Sequence, residues 1–126
     1  MTEGTLSGRV VLVTGGGRGI GRGHCLALAA HGAAVVVNDP GVSRDGRAGD
    51  AGPAAEVVAE IEAAGGKAIA HTGSVASWSD VADMITTAVS TFGTLTGVVN
   101  NAGIVRDAMV ANVTEEDWDA VIAVHL

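Results

Sequence analysis

The sequence predicts an α/β fold, a doubly wound parallel sheet of about four strands in the order 3-2-1-4, within a single domain covering residues 1–126. Three observations lead there. Short aliphatic runs alternate with segments of helical period, giving βαβαβαβα. The runs Val10-Val11-Leu12-Val13 and Ala34-Val35-Val36-Val37 are apolar without alternation, as strands covered on both faces are. The first run leads directly into a glycine-rich turn and then a helical pattern. Right-handed crossovers set the strand order, and the ligand crevice of such a sheet lies at the carboxyl ends of strands 1 and 4.

The elements follow in order. The first strand is Val10 to Val13, and the first helix is read from Arg22 to His31, with Leu26, Ala27 and Ala30 at helical spacing and Gly32 as its stop. The second strand runs from Ala34 to Asp39. Residues 40–52 are too polar and glycine-rich for an element and read as a mobile flap. Pro53 suits the first position of a helix reaching about Ala64, with Val57, Val58 and Ile61 inward and Glu56, Glu60 and Glu62 outward. Gly65-Gly66 ends it, and Lys67 to His71 is a short third strand. Ser77 caps the next helix with Asp80 in the box position, and Val81, Met84, Ile85, Ala88 and Val89 form its stripe. Leu95 to Val99 is the fourth strand. Thr114 caps a last helix in which Trp118, Val121, Ile122 and His125 fall on one side, and Leu126 is still within its pattern.

Composition narrows the function. The chain is 48% hydrophobic and 17% charged, which is globular composition. Aromatic residues are 2%, so the core must be aliphatic. A net charge of −7 with 7 Lys+Arg leaves no basic patch, which argues against nucleic acid as a partner. The polar start of the chain carries no signal-peptide pattern, and no apolar run approaches a membrane span, so a cytoplasmic protein without membrane contact is expected. The single Cys25 lies in a helical pattern and reads as a buried structural thiol. No metal site is expected.

The chemistry centres on Thr14-Gly15-Gly16-Gly17-Arg18-Gly19-Ile20-Gly21. G-x-G-x-x-G does not occur here in any register, and the phosphate-loop pattern fails because Arg22-Gly23 stands where Lys and Ser/Thr are needed. What fits is T-G-x-x-x-G-x-G, with Gly15, Gly19 and Gly21. Between a strand and a helix, such a turn lets the backbone approach a pyrophosphate, which the free N–H groups of the helix start then bind. A purely structural glycine turn is the alternative. Asp39, at the carboxyl end of strand 2, is placed to accept from adenosine ribose hydroxyls and to repel a 2′-phosphate, which favours NAD over NADP. The alternative is an ordinary turn aspartate before Pro40-Gly41. Arg44 and Arg47 in the flap keep NADP open, with a solvated loop as their simpler reading.

Asn100-Asn101-Ala102-Gly103 follows strand 4. Together with Thr14–Gly21 at this separation, it makes essentially the whole chain resemble the short-chain dehydrogenase/reductase family. A closer likeness is to the (3R)-hydroxyacyl-CoA dehydrogenase branch, found in peroxisomal multifunctional β-oxidation enzymes and bacterial relatives. It is carried by Val35-Val36-Val37-Asn38-Asp39, the glycine-rich loop, Asn101 through Asp107, Trp118-Asp119 and Val124-His125-Leu126. The resemblance implies a Rossmann-type fold and nicotinamide-linked interconversion of a secondary alcohol and a ketone, on an acyl thioester or a molecule shaped like one. It implies cofactor contacts at Gly15, Arg18, Gly19, Ile20, Gly21, Asp39, Ser74, Val75, Asn101, Ala102 and Gly103, with Asn100 acting as a structural staple.

Three departures stand out. Ser74-Val75 replaces an Asp-Val pair that contacts adenine in many members. His125 stands where members often place a relay Asn; a half-buried helix histidine is the plainer reading. The family's Ser, Tyr and Lys follow this helix, whereas this chain has no tyrosine and its one lysine is Lys67, on strand 3. His24 lies in the first helix, and His31 and His71 are read as lying away from the carboxyl edge. The expectation is therefore the nucleotide half of an oxidoreductase, incomplete at its C-terminus, with no catalytic residue of its own and inactive alone. Its parent would act on a small-molecule substrate. A bare edge on strand 4 predicts a marginal chain, homo-oligomeric through apolar surface or prone to aggregation. The alternatives are a non-catalytic NAD-binding or subunit-interaction module, and a degenerate product.

Overall fold

The computed structural model describes residues 4–41 and 52–126. The elements are β1 (Val10–Thr14), α1 (Gly19–Ala30), β2 (Ala34–Asn38), α2 (Gly52–Ala63), β3 (Lys67–His71), α3 (Trp78–Phe92), β4 (Gly97–Val99), a short 3-10 turn (Val110–Asn112) and α4 (Glu115–His125). The four strands form one parallel sheet in the order β3-β2-β1-β4, as the crossover rule requires. The flap and its Arg44 and Arg47 lie largely outside the described residues, at 42–51.

Strand periodicity divides the core in two. Val11, Val13, Val35 and Val37 point to one face, where Cys25 and Ala29 of α1 and Ala54, Val57 and Ile61 of α2 cover them. Val10, Leu12 and Val36 point to the other, against Met84 and Ala88 of α3. β1 and β2 are buried along their whole length, which is why their sequences do not alternate. Burial of each such valine contributes about 1.5–3 kcal/mol. Cys25 is fully buried, and the loss of water pushes its thiol up to about 12, so it is a packing residue.

Local chemistry sets the ends of the elements. The Ser77 hydroxyl accepts from the Asp80 N–H at 3.3 Å, and Gly93 closes α3 in the left-handed region at φ 87°. Thr114 caps α4 by accepting from the Asp117 N–H at 3.0 Å. β4 starts at Gly97, two residues later than the apolar run suggests. Thr96 takes the ladder's place: its N–H donates to the Val10 carbonyl at 2.8 Å, and its hydroxyl accepts from the Val10 N–H at 2.9 Å. α1 starts at Gly19 and not Arg22, with the Arg22 N–H already bonded to the Arg18 carbonyl. Glycine's low helix propensity hid that turn, which tertiary bonds hold in place.

α4 buries none of its residues fully: Val121 is half-buried, while Trp118 on the same stripe is 63% exposed. Val98 on β4 and Trp78 at the start of α3 are also exposed. Among the described residues, no strand pairs with the outer edge of β4. No helix among the described residues is long and apolar enough to cross a membrane.

Candidate functional site

At the carboxyl edge of the sheet, the ends of β1, β2, β3 and β4 lie side by side. β1 passes into the glycine turn at Thr14. Gly15 takes a left-handed conformation at φ 64°, and the Gly16 N–H donates to the Asn38 carbonyl at 2.8 Å, tying the turn to the end of β2. Gly19 opens α1, also left-handed at φ 55°, and a Cβ there would meet nothing within 4 Å. Ile20 and Arg18 flank it at the surface. Gly21 faces the protein: a Cβ there would collide with the Gly15 carbonyl and the Asn101 side-chain amide. One glycine therefore leaves space on the outside, and another makes the close packing beneath it possible.

Asp39 lies over this turn. It is 7% exposed; its Oδ2 accepts from the Gly17 N–H at 3.1 Å and its Oδ1 from the Gly41 N–H at 2.8 Å. The carboxylate thus faces the glycine turn from the next strand end.

Thr14 and Asn101 strap β4 to the same turn. The Thr14 hydroxyl accepts from the N–H groups of Asn101 and Ala102, both at 3.0 Å, and donates to the Val99 carbonyl at 3.3 Å. The Asn101 Nδ2 donates to the carbonyls of Thr14 and Gly15, each at 3.1 Å. These bonds correct the reading of Asn100: it is exposed, and the staple is Asn101. Thr14 was visible as the T of the motif, but its role as a hydroxyl node appears only once β4 is placed beside β1.

Gly103 lies against the His125 ring; a Cβ would come within 2.7 Å of its Cε1. The His125 Nε2 lies 3.2 Å from the Ile104 nitrogen and 3.1 Å from its carbonyl oxygen, so it accepts from the one or donates to the other according to its tautomer. The Arg106 side chain is 8% exposed and pairs with Glu116 at 3.4 Å and Asp117 at 3.6 Å, fixing the loop beyond Gly103 to the first turn of α4. Thr14, Val75, Asn100, Ala102 and His125 share a groove of about 700 Å³ between α3, β4 and α4.

Beyond β3, the Ser74 hydroxyl accepts from the Ala76 N–H at 3.1 Å, and the Ser74 N–H donates to Asp80 Oδ2 at 2.9 Å. His71 is corrected here. It lies at the carboxyl end of β3, in register with Asn38, and not away from that edge. His31 does lie at the opposite end, following α1, and His24 is exposed on α1. Lys67 is at the amino end of β3. Asn38 went unremarked as a site residue. It is fully buried and donates through Nδ2 to the carbonyls of His71 at 3.1 Å and Gly73 at 2.8 Å.

Comparison with known proteins agrees with this geometry. The family model described as short chain dehydrogenase matches residues 9–126. The chain is 48% identical over 119 residues to mouse peroxisomal multifunctional enzyme type 2, covering 94% of this chain and 16% of that protein. It is 46% identical over 125 residues to the hydroxyacyl-CoA dehydrogenase ChsB1 of Mycobacterium tuberculosis, covering 96% of this chain and 37% of that protein. The crystal structure of a short chain dehydrogenase from Mycobacterium avium superposes with a TM-score of 0.87 at 60% identity, covering 98% of this chain and 42% of that one. The chain spans less than half the length of these relatives. With its parallel sheet, its strapped glycine turn and a family match over nearly its full length, the chain belongs to the short-chain dehydrogenase/reductase family of oxidoreductases.

Proposed function

We propose that residues 1–126 form one nucleotide-binding domain that holds NAD for the oxidation of a secondary alcohol, or the reverse reduction of a ketone, on a hydroxyacyl thioester or a molecule of that shape. The observation that carries this reading is the Asp39 carboxylate set over the glycine turn. Space outside Gly19 and the helix start at Gly19-Ile20-Gly21 suit the pyrophosphate, with Gly15 and Arg18 beside it. Asp39 supplies acceptors for the ribose hydroxyls, and its charge opposes a 2′-phosphate. Ser74 and Val75 meet the adenine, and Asn101, Ala102 and Gly103 line the way to the nicotinamide end. When bound, the nicotinamide ring exchanges hydride with the substrate carbon. The chain's own residues bind and orient. Alcohol oxidation also needs an acid/base for the hydroxyl proton. No tyrosine is available and Lys67 is at the far edge, so the acid/base is assigned to residues outside this sequence and the 126 residues alone to an inactive state. His125 holds the Ile104 backbone at the relay position. The protein is assigned to the cytosol and to a homo-oligomer.

The test is Asp39→Ala. Binding of NAD, measured by calorimetry, is expected to weaken about 10-fold more than binding of NADP, the equivalent of one or two charge-assisted hydrogen bonds. Equal losses for the two would remove the ribose role. Gly19→Val checks the phosphate subsite. No protein atom lies within 4 Å of a Cβ placed there, and the positive φ adds backbone strain of about 1–2 kcal/mol. The side chain does fill the approach to the turn, and NAD affinity is expected to fall at least ~30-fold while the fold persists. Unchanged affinity would refute the assignment of the turn.

A second reading, a non-catalytic module that docks a partner subunit, is favoured by the open faces of Trp78, Trp118 and Val98. NAD binding without turnover in the protein as its source makes it would support that reading.

A further inference from the structure

We propose that His71 is a positioning residue for the base end of the dinucleotide: its imidazole, anchored on Asp83, holds the turn of residues 72–77 so that Ser74 faces the adenine. The proposal rests on the reading of the glycine turn as an NAD site.

The strand order supplies the path. β1, β2 and β3 are consecutive neighbours, so the glycine turn, Asp39 and the turn after β3 form a row along one edge. A ligand with its phosphates on the first and its ribose on the second brings its base to the third. The link between the last two is direct, since the Asp39 N–H donates to the His71 carbonyl at 3.0 Å.

Both nitrogens of the His71 ring are engaged. Nδ1 accepts from the Gly73 N–H at 3.0 Å, which requires a lone pair there. Nε2 then carries the hydrogen and donates to Asp83 Oδ2 at 2.6 Å. The carboxylate on α3 therefore fixes the tautomer, and the ring passes that constraint to the turn. Gly73 allows the approach, because a Cβ there would come within 2.6 Å of the His71 Cε1 and 2.9 Å of the Asp80 Cβ. The next amide, that of Ser74, is taken by Asp80. Two successive N–H groups are thus held, one by His71 at the end of β3 and one by Asp80 of α3. The Ser74 oxygen accepts from the Ala76 N–H, and its hydroxyl still has a hydrogen to donate to a ring nitrogen of the base.

The charged groups on this turn are Asp83 and Asp80 of α3, while the Asp39 carboxylate at the end of β2 is turned to the Gly17 and Gly41 N–H groups. Asp83 alone bonds the ring itself.

Two substitutions separate the ring's two bonds. In His71→Asn, the amide oxygen falls near the Nδ1 position and keeps an acceptor for the Gly73 N–H. In His71→Gln, a donor reaches the Asp83 end and the short-range acceptor is lost. The probes are NAD and nicotinamide hypoxanthine dinucleotide, whose base presents N–H where adenine presents an acceptor. Binding to the protein as its source makes it is measured well below the melting temperature, alongside KM and kcat. The wild-type protein is expected to prefer NAD by about 3- to 10-fold, the span of one hydrogen bond. His71→Gln should lose that preference and raise KM for NAD with kcat unchanged, and His71→Asn should retain most of it. A His71→Gln protein that keeps the preference, or an equal loss in both variants, overturns the proposal while leaving the NAD site standing. A wild-type protein that binds neither dinucleotide removes the NAD site and this role together.

Discussion

Gly21→Ala should abolish NAD binding and unfold the protein at a temperature lower by roughly 10 °C. The added methyl has nowhere to go. It would overlap the Gly15 carbonyl oxygen and the Asn101 amide nitrogen and lie 2.9 Å from the Gly15 carbonyl carbon. None of these is the free end of a flexible side chain. Either the first turn of α1 moves away from the glycine turn, or Asn101 gives up its bonds to Thr14 and Gly15. Overpacking of this kind costs about 1–3 kcal/mol, and losing those hydrogen bonds adds about 1 kcal/mol each. A total of about 3 kcal/mol corresponds to the stated shift for a domain of this size. Binding should suffer more than stability does, because the displaced elements are the turn and the helix start to which the proposed function assigns the phosphates. At least ~100-fold weaker NAD binding is expected. A thermal melt by circular dichroism and a calorimetric titration check the two parts. A Gly21→Ala protein that binds NAD within about threefold of wild type would mean that the close packing of turn and helix is not what shapes the site. The contrast with Gly19→Val is informative: a Cβ at that position has no protein atom within 4 Å, so its effect on binding is expected with little disruption of packing.

What could be read from the residues follows from the physics of each element. β1 and β2 were legible because strands buried on both faces need unbroken aliphatic runs, and both runs are there. Their order followed because parallel crossovers have one hand. The caps at Ser77 and Thr114 were legible because capping is local in sequence. The start of α1 was not, since propensity argues against glycines in a helix and the contacts that overrule it come from 80 residues and more along the chain, as the bond from Asn101 to Gly15 shows. Asn100 and Asn101 are chemically identical, and which one turns inward depends on where β4 stops. A shift of one residue reverses every face. The same parity governs His71: it ends β3 opposite Asn38, and only the register reveals that its carbonyl and ring both serve the carboxyl edge. Side-chain bonds to backbone groups of other strands, such as those of Thr14, Asn38 and Asn101, carry no sequence signal of their own.

Asn38→Asp is the second substitution with a large expected effect. Asn38 is fully buried, and both of its N–H donors are used, one on the His71 carbonyl and one on the Gly73 carbonyl. Its Oδ1 has no hydrogen-bond partner among the described residues. A carboxylate of the same shape would present oxygen to both carbonyls and bury a charge with no cation bonded to it. Leaving such a charge uncompensated costs about 3–5 kcal/mol, a large part of a domain's total stability. The sign of the pH dependence follows. Burial and the two carbonyls oppose the charged form, so the folded-state value of the introduced carboxyl lies above the unfolded value of about 3.9. The penalty is then fully present above the folded-state value, shrinks as the pH falls from there toward about 3.9, and is gone below about 3.9, where the group is neutral in both states and can donate to one carbonyl. Asn38→Leu should cost less at neutral pH, about 2 kcal/mol, since it takes a donor from the Gly73 and His71 carbonyls, the latter keeping the Asp39 N–H, but removes the unpartnered oxygen and brings no charge. Melting curves of the three proteins across pH separate these terms. An Asn38→Asp protein as stable as wild type at neutral pH would mean that the two bonds do not hold the end of β3. The order Asp below Leu below wild type at neutral pH, with Asp approaching Leu in acid, would establish Asn38 as the buried clamp between the end of β2 and the turn after β3.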